Sequence, residues 1–266
     1  AVDPIADAIP LCRRYGARVH IDAAYGGFFR LLASDAGPVE ESRQRDSSDS
    51  RPLAPDAMRH LRAIAEADSV VVDPHKHGLQ PYGCGAILFR NPAVGRHYHH
   101  DSPYTYFTSE DLHLGEISLE CSRPGAAAGA LWLTLRVLPL AVDQGLGPIL
   151  AAGLRAARKF RSAVDASDHL STVLDPETDI VVYTPHADSV TALDARSGDV
   201  FRRGMDDPTD PVFVSLYRRS AKDLRRAFPD LDLDADAARV LRSVLMKPEH
   251  EAWADRLVAR LDALAA

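Results

Sequence analysis

The chain has 266 residues, enough for one large domain or two small ones, and its 46% hydrophobic content supports a real core. A net charge of -7 with no concentrated basic patch argues against nucleic acid as a partner. Three cysteines at unrelated spacings, Cys12, Cys84 and Cys121, suit reduced thiols and give no zinc signature; with no charged-then-apolar leader at the start, the expected location is cytoplasmic.

Going along the chain, the first strong signal is Ala17-Arg18-Val19-His20-Ile21-Asp22-Ala23-Ala24-Tyr25-Gly26-Gly27, a β-type run that ends in an acid, then small residues and a glycine pair. An acid at the carboxyl end of a strand in an α/β sheet lies where ligands bind. Taken alone, Asp22 fits a metal, a ribose or a protonated pyridine nitrogen. Residues 35 to 55 are polar, serine-rich and charged, which predicts an exposed loop. A helix over 55 to 67 follows, with Asp56 near its start and Met58, Leu61, Ile64 and Ala65 at helical spacing.

Residues 70 to 90 carry the most chemistry. Val70, Val71 and Val72 predict a strand, Ala86 to Phe89 its neighbour, and Pro81, Gly83 and Gly85 the turn between them. Lys76 then sits on a loop off a sheet, with His75 beside it as a donor suited to an anion such as a phosphate. Lysine amines form Schiff bases with carbonyls where a site activates them. An isolated His-Lys pair would read as a solvated loop, since lysine is rarely buried; the Asp22 motif upstream reverses that reading.

Together, Asp22-x-Ala24 and His75-Lys76 resemble the pyridoxal-phosphate enzymes of the group II decarboxylase family, which includes glutamate, aromatic amino acid, tyrosine and aspartate decarboxylases and sphingosine-phosphate lyase. The resemblance implies that Lys76 forms the Schiff base, Asp22 pairs with the pyridine nitrogen, Ala24 packs against the ring and His75 touches the cofactor phosphate. It also implies an α/β fold: a fold-type I large domain over residues 1–165, lacking its N-terminal part, then a small α+β domain over 166–266. Ala1-Val2-Asp3-Pro4-Ile5 resembles the family's continuation into a helix, so the chain is expected to begin mid-domain and to need an N-terminal segment or a partner chain.

Residues 97 to 125 are aromatic and polar. In the family a mobile loop here reaches into the neighbouring subunit, and a loop tyrosine protonates the carbanion in several members; Tyr104 and Tyr106 are the candidates here. The alternative is aromatic packing at a dimer interface, where tyrosine is enriched in any case. The Ser122-Arg123-Pro124-Gly125 turn resembles a segment whose serine contacts the partner's cofactor phosphate. The apolar stretch that follows is broken by Arg136 and Pro139 and falls short of the about 20 residues needed to span a bilayer, so it predicts a buried helix.

Beyond a long helix over 147 to 166, whose basic residues Arg155 to Arg161 fit a polar helical face, the runs 179–183, 212–216 and 240–246 predict strands, with a closing helix over 249–265. The resulting expectation is an amino-acid decarboxylase working as a homodimer or with a chain that carries the other half. Two alternatives stand beside it: a carbon-carbon lyase on the same cofactor, and a catalytically silent subunit acting through another chain.

Overall fold

A computed structural model describes residues 2–33, 53–99 and 125–266. The chain divides into two compact units, one of Asp3–Asp35 with Met58–Leu146, the other centred on Gly147–Ala266.

In the first unit, helix α1 (Ile5–Arg14) buries Ile9 and is tied to helix α2 (Pro55–Ala63): the Ala6 N–H donates to His60 Nδ1 at 3.2 Å, and Arg59 pairs with Asp7 at 2.7 Å. Strands β1 (His20–Asp22), β2 (Ser69–Val72) and β3 (Ala86–Phe89) form a sheet in that order. β1 runs parallel to β2, with Asp22 opposite Val71, and β3 runs antiparallel to β2, with Ala86 opposite Val72. The β-branched valines fill β2 because their stiff side chains suit a pleated surface. After β1 a 3-10 turn over Gly27–Leu31 buries Phe29. Helix α3 (Ala126–Val137) is the helix expected after the Ser-Arg-Pro-Gly turn, but it is not buried: Trp132, Leu133 and Val137 are more than half exposed.

In the second unit, helix α4 (Leu146–Asp165) leads into strands β4 (Leu170–Leu174) and β5 (Ile180–Pro185), helix α5 (Val190–Asp206), strand β6 (Ser215–Ser220), helix α6 (Ala221–Ala227), strand β7 (Ala237–Val244) and helix α7 (His250–Ala265). The sheet has the order β4-β5-β7-β6, antiparallel throughout. Phe160, Tyr183, Leu241, Val258 and Leu261 share one core cluster, and Val182, Val190, Leu193, Leu224 and Val240 another. Ser189 caps α5 and Ser220 caps α6, each accepting from a backbone N–H three residues on.

Three strands differ from expectation. The run 212–216 yields a strand only from Ser215, because Val212 is buried in the core and its N–H donates to the Gly204 carbonyl at 2.9 Å instead of a ladder partner. β7 begins at Ala237, where Ala237 to Arg242 pair with β6. β4 was not expected at all, and it joins the sheet's edge through β5. Among the described residues, no helix is long and apolar enough to cross a membrane, and Cys12 and Cys84 are free thiols.

Candidate active site

The parallel pairing of β1 with β2 sets the site. Side-by-side parallel strands end at the same edge of a sheet, so Asp22 at the end of β1 and the turn 73–76 after β2 are brought together, where α/β sheets place ligands. Two main-chain bonds lock the edge: Ala23 N–H donates to Val71 O at 3.0 Å, and Asp73 N–H donates to Ala24 O at 3.1 Å. The Asp22 side chain is turned by its own loop, with Oδ1 accepting from the Ala24 N–H at 3.1 Å, and the residue is exposed.

The lysine turn is equally defined. The Lys76 N–H donates to Asp73 O at 2.9 Å and the His75 N–H to Cys84 O at 3.1 Å, so the turn is held against the start of β3. His75 Nδ1 is also 3.1 Å from the Cys84 carbonyl, which assigns the proton to Nδ1 and leaves Nε2 facing the Asp73 carboxylate at 3.7 Å. The His75 ring lies 5.1 Å from the Tyr82 ring. Lys76 Nζ donates to Asp73 Oδ2 at 2.8 Å.

Beyond Lys76 the chain needs a glycine: a Cβ on Gly78 would lie 2.7 Å from both Phe28 Cζ and the Pro74 carbonyl oxygen. Leu79 then takes φ of 58°, and the buried Gln80 side chain bridges Gly78 O at 3.1 Å to Thr134 Oγ1 of α3 at 2.8 Å.

The structure thus brings together Asp22, Ala24, His75 and Lys76. Tyr104, Tyr106 and Ser122 lie outside the described residues. Two residues were not singled out from sequence. His77 is buried and its Nδ1 donates to Tyr25 O at 2.9 Å, stapling the lysine turn to the loop after β1. Asp73 contacts Lys76 and His75 through its side chain. Its spacing of three from Lys76 on a turn was the available signal.

An amine, an acid and an imidazole gathered at one sheet end are groups that a pyridoxal-phosphate site would use. The family model described as "Pyridoxal-dependent decarboxylase conserved domain" matches residues 49–185, and the chain belongs to that family. L-tyrosine decarboxylase of Enterococcus faecium is 35% identical over 159 residues, 55% of this chain and 26% of that protein. L-2,4-diaminobutyrate decarboxylase of Acinetobacter baumannii is 26% identical over 214 residues, 77% of this chain and 37% of that protein. Mouse CSAD has the same fold at a TM-score of 0.71 and 19% identity, covering 100% of this chain and 49% of that one. Oryza sativa TDC with PLP and tryptamine gives 0.68 at 17% identity, covering 99% and 48%. The chain therefore spans a quarter to two fifths of these curated relatives and about half of these solved chains.

The donor set fits pyridoxal phosphate. Its aldehyde calls for a primary amine, which Lys76 would supply; its ring nitrogen for a carboxylate, which Asp22 would supply; its phosphate for a polar partner, a place His75 would take; and its ring face for a small apolar side chain, which Ala24 would be.

Proposed function

We propose that this chain forms the later part of a pyridoxal-phosphate-dependent amino-acid decarboxylase in which Lys76 holds the cofactor. The observation that carries the reading is the β1/β2 register, Asp22 opposite Val71, which joins the acid and the lysine turn at one sheet end. When bound, pyridoxal phosphate supplies an electron sink for the pair released as a bond at the substrate's Cα breaks. Asp22 then keeps a proton on the ring nitrogen by direct charge attraction. The Ala24 N–H orients the Asp22 carboxylate, and His77 fixes the lysine turn relative to the Tyr25 loop. Ala24 is small enough to leave room for a flat ring.

The reading extends to assembly and location. Residues 1–165 would form the later part of the cofactor domain and 166–266 the small C-terminal domain. Ile87 and Leu88 on β3 and Trp132, Leu133 and Val137 on α3 are all more than half exposed, and apolar groups so arranged gain by being covered. That supports a homodimer, or an assembly with a polypeptide carrying the other half of the fold. In it, Ser122 would contact the partner's cofactor phosphate, and Tyr104 or Tyr106 would protonate the carbanion. The free thiols of Cys12 and Cys84 support a cytoplasmic location.

The test is borohydride reduction of the complete assembly with cofactor, followed by peptide mapping. The pyridoxyl group is expected on the Lys76 peptide; label on Lys159, Lys222 or Lys247 instead would sink the assignment.

A further inference from the structure

Asp73 has no part in the roles assigned so far, yet it contacts three of the residues that carry them, Lys76, His75 and Ala24. Its side chain is only 18% exposed, with Oδ2 at 2.8 Å from Lys76 Nζ and 3.7 Å from His75 Nε2. Its N–H donates to the Ala24 carbonyl at 3.1 Å, and its own carbonyl accepts from the Lys76 N–H at 2.9 Å. One residue thus meets the lysine and the imidazole by its side chain and the ring-packing turn by its main chain.

We propose that Asp73 is a positioning residue whose carboxylate seats the Lys76 amine whenever that amine is free of the cofactor. The inference rests on Lys76 being the cofactor lysine. A lysine stem has four rotatable carbons, and a free ammonium on it samples many rotamers and swings toward water. The pair with Asp73, three residues back on the same turn, keeps Nζ at the sheet end. To react, Nζ leaves the seat by giving one proton to solvent. The amine so freed would hold the cofactor through its aldehyde, and an amine released again by a substrate would take up protons and return to Asp73 as the ammonium.

The alternative is that Asp73 only shapes the turn, which its main-chain bonds would achieve with any side chain. The full chain without cofactor, treated with a neutral acetylating ester and followed by mass spectrometry, separates the two, with Lys222 and Lys247 as internal references. In Asp73→Asn, Lys76 should be acetylated about two- to fivefold faster than in the parent, the span expected from loss of a partly exposed ion pair, with the references unchanged. Asp73→Glu, which keeps the carboxylate, should return the rate toward the parent's. Equal Lys76 rates in the parent and Asp73→Asn, or an equal rise in both variants, would overturn the proposal. If Asp73→Asn does not fold, molar sodium chloride serves on the parent chain: screening should speed Lys76 relative to the references, and no change overturns the seat. Because no cofactor is present, failure here bears on Asp73 alone, whereas cofactor trapped on another lysine bears on the assignment of Lys76.

Discussion

The two sheets of this protein are buried very differently. In the four-stranded sheet, five of the six residues of β5 are buried, and Val181, Tyr183, Val240 and Leu241 are fully so. In the three-stranded sheet, all four residues of β2 are only half-buried, both Ile87 and Leu88 of β3 face solvent, and α3 buries none of its residues. The β1–β2 pair is parallel, and parallel strands are normally covered on both faces. The second unit therefore holds the well-packed core, while the first carries the residues proposed for the site, on strands that are only half-buried.

That contrast can be broken most sharply at Lys76. In the complete assembly, Lys76→Ala should lower the proposed decarboxylase activity by about a thousandfold or more, since the proposed covalent anchor would be lost. Thermal unfolding should stay near the parent's, because the lysine contributes only a partly exposed ion pair. A large loss of stability in that variant would mean that the lysine turn holds the fold as well as the chemistry.

The next largest effect belongs to the second sheet. Leu241→Ala, at a fully buried position in β7, should cost about 2–5 kcal/mol in denaturant unfolding through the lost transfer energy and the cavity left behind. Val71→Ala, at a half-buried position in β2, should cost less than Leu241→Ala, since it removes fewer methyl groups from a site already partly in water. Equal costs would show that the first sheet is covered in solution.

Asp22→Asn comes third. With Asp22 opposite the ring nitrogen as proposed, removing its charge should lower the activity of the complete assembly by about a hundredfold, the scale of one preorganised electrostatic group, with unfolding unchanged because Asp22 is exposed. Retained activity would mean that another group protonates the ring.

The smallest effect is a pH dependence in the second unit. The Thr209 N–H and hydroxyl, then the Asp210 N–H and the Arg260 guanidinium, hold the Asp207 carboxyl down at about 2, from an ordinary 3.8. A folded value below the unfolded one contributes stability that is present above the unfolded value and lost as pH falls through the folded one. The stability gap between the parent and Asp207→Asn should thus be widest above about pH 4 and close as the pH drops toward 2. A gap that widened on acidification would reverse the sign and refute the account. Tyr183 titrates in the other direction: burial pushes its hydroxyl far above the ordinary range against the opposing bond to Ser243, so it stays neutral in the core.

Local chemistry alone determined a good part of this molecule. The valine run of β2, the Ala86–Phe89 run of β3, the acid closing β1 and the lysine turn between β2 and β3 were all legible, because each follows from side-chain shape and turn residues over a few positions. The helices over 146–165 and 250–265 were legible from their apolar spacing. The strand Leu170–Leu174 was not, because its Ser-Thr centre carries little hydrophobic pattern and it becomes a strand only by pairing with β5. β6 starts only at Ser215, partway into the run expected to form it, because Val212 was claimed by the core. Only the tertiary structure decided that β1 and β2 lie parallel and in a register that puts Asp22 beside the lysine turn, since residues about fifty positions apart carry no local mark of their pairing. It likewise decided the place of His77 against Tyr25, because that contact depends on how two loops meet at the end of the sheet, whereas the Asp73 pair with Lys76 is local to one turn.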